Sequence, residues 1–193
     1  MDLYEAIEKR RTIRVYKAGA TEEQLRRIIL AGTKAPSALN RQPWEFIIVE
    51  DPTIIDQLAD LKYKQTLKTP VRVSTPEKTK MLKKRGVDQK ESFKKASIVA
   101  VCNKVGLERS LWLCIENISL AAVAEGLGSG IVLYWDDEKA AAEKLLGLTE
   151  EYELTAVLKI GVPAEEGYSR EENLFGPRRP DFSWLHKNRL QIK

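Results

Sequence analysis

Histidine is the scarcest residue in this sequence of 193 residues, since His186 is the only one. A Ser-His-Asp triad, a Cys-His pair or a zinc site with several histidines would have to depend on that one imidazole. It stands near the C-terminal end, in "FSWLHKNR". We therefore expect no histidine-based catalysis.

Cysteines and long apolar runs are scarce as well. Cys102 and Cys114 are the only cysteines, they form no C-x-x-C motif, and each lies in an apolar stretch, so we expect two reduced core residues. No apolar run approaches the roughly 18 residues of a membrane span, so no contact with a membrane is expected. The beginning, "MDLYEAIEKRR", is amphipathic and unlike a signal peptide, which predicts a cytoplasmic protein.

The remaining composition is typical of one globular domain over residues 1–193, with 43% hydrophobic and 31% charged residues. The net charge of +4 is unevenly distributed, because residues 61–95 carry +9 and the rest of the chain −5. Nucleic-acid binding is not expected there, since Tyr63 and Phe93 are the segment's only aromatic residues and no recognition motif accompanies them. A solvated segment and a lid that attracts anionic ligands are the two other interpretations.

Helix caps and apolar periods predict most of the secondary structure. Asp2 with Glu5, and Thr21 with Gln24, have the spacing of capped helix starts, and the first helix should end near Arg10. The other predicted elements are the strands "FIIVE", "SIVAVC", "GIVLYW" and "ELTAVLKIG", and helices that begin at Pro52, at Ser110 and at the capping aspartates of "DDEKAAAEKLLG", the last ending at Gly147.

Two features of this pattern bear on assembly. The helix over residues 110–125 has only two charges, Glu116 and Glu125, which predicts burial on nearly all sides and a dimer contact. Residues 162–193 lack periodicity and should form an arm that lies across another part of the molecule. Helices that alternate with about four apolar strands indicate a layered α/β or α+β domain.

The glycines of "EGLGSGIVLY" invite comparison with a dinucleotide-binding fingerprint. That motif follows a strand and opens a helix, whereas Gly126, Gly128 and Gly130 follow a helix and open a strand. A helix stop with a tight turn explains them without a ligand.

Arginines are concentrated in "RRTIR", which holds Arg10, Arg11, Thr12 and Arg14 at the end of the first helix. Cations are favourable at a helix C-terminus without any ligand, but three guanidinium groups exceed that need. Arginine suits bidentate phosphate contacts and Thr12 adds a neutral donor, so a phosphate-bearing cofactor is a second interpretation. Arg178, in "GPRRPDF", is either a solvated loop residue or a further phosphate contact brought by the C-terminal arm.

The connector "APSALNRQPWEF", residues 35–46, holds more polar and rigid residues than a simple helix-to-strand loop requires. Together with "RRTIR", "AEGLGSG", "LGLTEEYELTAVLKIGVP" and "RRP", in this order, it resembles the FMN-dependent nitroreductase family. The resemblance covers most of the chain apart from the basic segment. It implies an α+β homodimer with a central, mainly antiparallel sheet flanked by helices, and FMN at the subunit interface.

The resemblance also implies roles for individual residues. Arg10, Thr12 and Arg178 correspond to phosphate contacts, Arg11 to backbone and packing, and Arg14 to a cation beside the N1 and O2 edge of the flavin, where it tunes the reduction potential. In the connector, Pro36 and Ser37 would lie against a flavin held chiefly by the partner subunit, while Asn40 and Gln42 fix the loop. The backbone near the flavin N5 corresponds to Ile131, Val132 and Leu133, where this chain departs from the family's small residues at Leu133 and Tyr134.

The implied reaction alternates between two half-reactions. NADH or NADPH reduces FMN at N5, and an electron-poor small molecule such as a nitroaromatic or quinone is then reduced, with no catalytic side chain demanded of the protein. The lysine-rich residues 61–95 would form a lid beside the flavin. Reductive dehalogenation or other flavin chemistry, flavin binding without reductase activity, and a nucleic-acid-binding module are the alternatives.

Overall fold

The computed structural model describes residues 1–68, 76–164 and 184–190, except for the side chains at positions 76–79, 81 and 82. Six α-helices and five strands lie within these ranges. In chain order they are α1 (Leu3–Lys9), β1 (Tyr16–Gly19), α2 (Glu22–Gly32), β2 (Trp44–Val49), α3 (Pro52–Lys68), α4 (Pro76–Lys95), β3 (Ser97–Lys104), α5 (Arg109–Ala124), β4 (Gly128–Val132), α6 (Asp136–Leu145) and β5 (Tyr152–Pro163).

The five strands form one sheet in the order β1-β5-β3-β2, with β4 also paired to β5, and every pair is antiparallel. The 12-residue β5 is the central strand, because β3 and β1 follow each other along one edge while β4 pairs with the other. The α+β class with a mainly antiparallel sheet is therefore confirmed.

The sheet separates two hydrophobic layers, because β3 and β5 are nearly continuous apolar runs whose successive side chains point to opposite faces. Helices α2 and α5 cover one face, where they pack against Val99, Val101 and Leu158. Helices α3, α4 and α6 cover the other face, over Ile98, Ala100 and their neighbours. Cys102 and Cys114 are both free and fully buried, one in each layer, so the predicted reduced core cysteines are confirmed.

Most predicted caps are present. Asp2 accepts a hydrogen bond from the Glu5 amide at 2.8 Å, and Thr21 and Gln24 form a reciprocal capping box at the start of α2. After α6, Gly147 adopts a left-handed φ of +72°, as a helix stop requires. The predicted aspartate cap of α6 is wrong: the N-cap residue is Trp135, with no side-chain capping bond, and the aspartates lie inside the helix.

Two strand predictions need correction. Strand β4 covers Gly128–Val132 instead of the six residues of "GIVLYW", because beyond Val132 the chain leaves β5 and bonds to α3. Strand β1 was not predicted, since its four residues include Ala18 and Gly19 and have no apolar alternation. It is held by pairing with β5, which is distant in sequence.

The basic segment is helical on both sides of residues 69–75, although its sequence shows no clear period. Residues 61–68 continue α3, and residues 76–95 form α4, which packs against α3. Part of the positive charge is balanced locally, because Lys68 pairs with Glu138 of α6 and Lys90 pairs with Asp60 of α3.

Helix α5 is less completely buried by its own chain than its composition indicated. Its sheet-facing side is buried, but Trp112 is partly exposed and Leu113 is 50% exposed. Leu3, Tyr4 and Ile7 of α1, which packs on α5, are exposed as well. None of the helices in the described ranges is long and apolar enough to cross a membrane.

Candidate active site

The arginine motif leaves α1 in an extended conformation and runs along the free edge of β4. Arg10 is the C-cap of α1, with φ −56° and ψ 126°. Thr12 then forms a parallel bridge with Ser129, and the Ile13 amide donates to the Ser129 carbonyl at 2.9 Å. Two stretches that are more than a hundred residues apart in sequence therefore become neighbours.

Alternation along these two stretches creates one buried side and one open side. Ile13 and Val132 point into the core and are almost fully buried, whereas Thr12 and Arg14 are exposed and Ile131 and Leu133 are each 38% exposed. Since Thr12 pairs with Ser129, the period of two places these four exposed residues on the same side. We call this side, formed by Thr12, Arg14, Ile131 and Leu133, the open face.

Glycines allow the close approach that forms the open face. A Cβ at Gly128 would lie 2.3 Å from Cγ1 of Ile13, and a Cβ at Gly130 would lie 2.6 Å from the Ile13 carbonyl oxygen. The glycine motif therefore has a packing function beside the arginine motif, in addition to the helix stop that Gly126 provides with its φ of +75°.

Arg10 and Arg11 make different contacts. The Nε atom of Arg10 lies 3.4 Å from a carboxylate oxygen of Glu116 on α5, which places its guanidinium beside that helix. Arg11 donates from Nη1 to the carbonyls of Glu8 and Arg10, at 2.5 and 2.8 Å. Arg11 thus satisfies carbonyls at the end of α1, the contact expected of a capping cation.

The connector is a preformed loop. After Pro36, which is exposed, Ser37 precedes a 3-10 helix, Ala38–Asn40, and its Oγ accepts a hydrogen bond from the Gln42 amide at 3.0 Å. Asn40 and Gln42 adopt left-handed φ angles of +52° and +45°, as does the exposed Leu39 that precedes them. This conformation costs free energy for residues other than glycine, so the loop holds a specific shape that a plain connection would not require.

One chain does not bring the connector and the open face together. The connector leads into β2, and strands β3 and β5 lie between β2 and β4 in the sheet. Three strand spacings of roughly 4.8 Å separate the two strands. The other predicted site residue, Arg178, and most of the C-terminal arm lie outside the described residues.

Sequence reasoning missed a buried lysine behind the open face. Lys159 of β5 is 2% exposed, its Nζ donates to Ser92 Oγ at 2.5 Å, and it lies over the rings of Tyr16 and Phe93. Burial, together with the positive charges of Arg14 and Lys62, lowers the pKa of Lys159 to about 7. A single lysine inside the apolar run "ELTAVLKIG" was the available signal.

Helix α3 supplies contacts that the sequence did not reveal. Lys62 and Gln65 both donate to the carbonyl of Leu133, so the end of the open face is attached to α3. Burial lowers the pKa of Lys62 to about 8. The lysine-rich composition of this region had indicated only charge, whereas these two residues make specific contacts.

Comparisons with known proteins identify the family of this chain. The model of the Nitroreductase family matches residues 7–162. The chain is 30% identical over 186 residues to an NADH dehydrogenase of Thermus thermophilus, covering 87% of this chain and 90% of that protein. It is 30% identical over 166 residues to an iodotyrosine deiodinase of Thermotoga neapolitana, covering 83% and 88%.

A solved structure shares the fold over nearly the whole chain. It is an oxidized iodotyrosine deiodinase bound to FMN and 3-iodo-L-tyrosine, with a TM-score of 0.72 and 28% sequence identity. The match covers 92% of this chain and all of that one.

Proposed function

The chain belongs to the nitroreductase family, and we propose that it is an FMN-dependent oxidoreductase that acts as a homodimer. The observation that carries the proposal is the open face. It places a hydroxyl and a guanidinium, from Thr12 and Arg14, beside the apolar side chains of Ile131 and Leu133 on one surface. A flavin nucleotide offers the complementary chemistry, an anionic phosphate and a flat, mainly apolar ring.

The donor set fits FMN. Arg10 and Thr12 would hold the phosphate, with Arg11 supporting their backbone, and Arg14 would lie beside the pyrimidine edge of the ring. The backbone of Ile131, Val132 and Leu133 would line the ring's other side. When bound, FMN supplies two-electron chemistry between a nicotinamide and an acceptor. The protein's contribution is to bind FMN, to orient its ring and to polarise it.

A second copy of the chain would complete the site. The exposed apolar residues of α1 and α5 offer a surface for this second copy, which would also bring its connector to the open face. Pro36 and Ser37 would then approach the flavin from the partner, with Asn40 and Gln42 maintaining the loop. The distance between connector and open face within one chain supports this division of the site.

The purified protein tests the proposed activity directly. We expect a yellow protein whose flavin is bleached anaerobically by NADH or NADPH and recolours when a nitroaromatic or quinone is added. Stopped-flow absorbance with each nicotinamide, followed by a panel of nitro, quinone and enone acceptors, identifies the reductant and the acceptor class. A protein that holds FMN but is reduced by neither nicotinamide would contradict the reductase activity while leaving FMN binding in place.

Reductive dehalogenation is the second candidate, because iodotyrosine deiodinases occur among both the sequence relatives and the structural neighbours. In that reaction two electrons and a proton replace a carbon–halogen bond by carbon–hydrogen and release halide. Halogenated aromatics in the same panel distinguish the two functions, since halide release in step with flavin reoxidation would identify the dehalogenase.

The lysines of residues 61–95 are proposed to steer anionic ligands to the site. Four exposed ones, Lys64, Lys83, Lys84 and Lys95, should each be replaced by glutamine. We expect the second-order rate constant for reduction by NADPH to fall, and its dependence on salt to flatten, because steering is screened by ions. Unchanged turnover and unchanged salt dependence would contradict the lid.

A further inference from the structure

The amide of Gln65 is bonded to the backbone just beyond β4. Its Nε2 donates to the carbonyl of Leu133 at 3.0 Å, and its Oε1 accepts from the amide of Trp135 at 3.0 Å. An adjacent β-strand would satisfy the same two groups, the carbonyl of one residue and the amide two residues later. Gln65 is 1% exposed, so these bonds are shielded from water.

Two further contacts from the same side of α3 hold this segment. Lys62 Nζ, 3.0 Å from the Leu133 oxygen, is a second donor to that carbonyl and lies 4.5 Å from the centroid of the Trp135 ring. The hydroxyl of Tyr134 donates to the carbonyl of Leu58 at 2.8 Å, which turns this bulky residue into the core. Leu58, Lys62 and Gln65 are spaced by four and three residues, so they share one side of the helix.

We propose that Gln65 is a positioning residue for the flavin, and that Lys62 assists it, by fixing the segment that ends the open face. The inference rests on the proposed function, because it concerns the surface against which FMN would lie. It explains how this chain keeps Leu133 and Tyr134 where the resemblance leads one to expect smaller residues. Tyr134 is anchored inward, and Leu133 is held outward through its own carbonyl.

The two donors to the Leu133 carbonyl also affect the N–H group of Tyr134. The Leu133 carbonyl and the Tyr134 amide belong to one peptide, and two donors on the oxygen polarise that peptide's N–H group. Removing these donors loosens the backbone and weakens its dipole. Small displacements of a reacting group slow a reaction strongly. Loosening of this backbone should therefore lower the rate of flavin reduction.

Gln65→Leu removes both bonds with little change in volume, and Gln57→Leu is the matched control, because Gln57 is exposed on the same helix. In the flavin-free protein, we expect Gln65→Leu to accelerate amide hydrogen exchange at residues 133–135 by about 10-fold. In the FMN-loaded protein, we expect reduction by NADH or NADPH to slow by roughly 10- to 100-fold, with a shifted midpoint potential and unchanged FMN stoichiometry. Gln57→Leu should behave as wild type in both measurements.

Two further variants separate positioning from general destabilisation. Lys62→Met removes one donor at a partly exposed position, and we expect about a threefold slower reduction without loss of folding. Lys144→Met, at an exposed position outside residues 61–95, is its charge-matched control. Gln65→Glu retains the acceptor, and its carboxyl can donate to Leu133 only when protonated. This variant should therefore approach the wild-type rate at low pH and fall below it as its carboxyl ionises.

The outcomes are distinguishable. Wild-type protein that binds no FMN would overturn both the proposed function and this inference. Flavin-free Gln65→Leu with wild-type exchange at residues 133–135, or FMN-loaded Gln65→Leu with a wild-type reduction rate and midpoint potential, would overturn the inference and leave the proposed function standing.

Discussion

Replacing Arg14 by methionine is expected to slow flavin reduction by about 100-fold while the protein still folds and binds FMN. Arg14 lies on the open face, close enough to the core for its charge to lower the pKa of Lys159. Two-electron reduction places negative charge on the pyrimidine edge of the ring, and a fixed guanidinium there stabilises it. Loss of one such preorganised group costs roughly 10²- to 10³-fold in rate. Anaerobic stopped-flow reduction measures the effect, and a lowered midpoint potential should accompany it.

Two variants provide controls for the Arg14 prediction. Lys17→Met removes a positive charge from an exposed position three residues later and should leave rate and potential nearly unchanged. Arg14→Lys retains the charge without the planar donor geometry and should fall between wild type and Arg14→Met. If Arg14→Met were reduced at the wild-type rate with an unchanged potential, Arg14 would not be the cation beside the flavin.

Replacing Lys159 by methionine is expected to remove a large pH dependence of stability. Groups from several parts of the fold surround this amine. Arg14 and Lys62 bring like charge, Tyr16 and Phe93 bring aromatic rings, and the hydroxyl of Ser92 accepts a hydrogen bond from the amine. Methionine fills a similar volume with an apolar side chain. Ser92 keeps a partner in the variant, since its hydroxyl also donates to the carbonyl of Gln89.

The direction of the effect follows from proton binding. The pKa of Lys159 is about 7 in the folded protein and near its ordinary 10.5 in the unfolded chain, so between these values the unfolded chain binds more protons. Burial of the amine therefore destabilises the fold fully below pH 7, and the penalty disappears as the pH rises toward 10.5. At about 1.4 kcal/mol per pH unit, wild type should gain on the order of 2 kcal/mol relative to Lys159→Met between pH 7 and pH 9.

Chemical denaturation of both proteins at pH 7 and pH 9 measures this difference. Comparing the two proteins removes the contributions of other titrating groups, including Lys62 and the two buried cysteines. Lys144→Met, at an exposed position on α6, is the control and should show no pH-dependent difference from wild type. A stability difference between wild type and Lys159→Met that stays constant from pH 7 to pH 9 would show that Lys159 does not titrate in this range.

Local patterns in the sequence predicted the elements whose causes are local. The capping box of Thr21 and Gln24, the helix stop at Gly147 and the apolar strands β3 and β5 depend on neighbouring residues, and all are present. Strand β1 exists only because β5 pairs with it, and β4 ends early because Gln65 takes the place of a neighbouring strand. Such tertiary causes leave no mark in a window of a few residues.

The residues of the candidate site also fall into two groups: those that a local motif reveals, and those that only the fold brings together. Arg10, Thr12 and Arg14 stand together in one short motif, so the sequence draws attention to them. The hydrogen bonds of Gln65 and Lys159 join residues that are 67 to 70 positions apart. Their types, an amide in a lysine-rich helix and a lysine in an apolar strand, indicate nothing until the fold brings their partners close.

The most direct test of the account is an FMN titration of the flavin-free protein, with the mass of the particle measured by analytical ultracentrifugation. We predict a homodimer that binds one FMN per chain, and an affinity that falls at least 10-fold when Arg10 and Thr12 are both replaced by alanine. A monomer that takes up no FMN at saturating concentration would contradict the account.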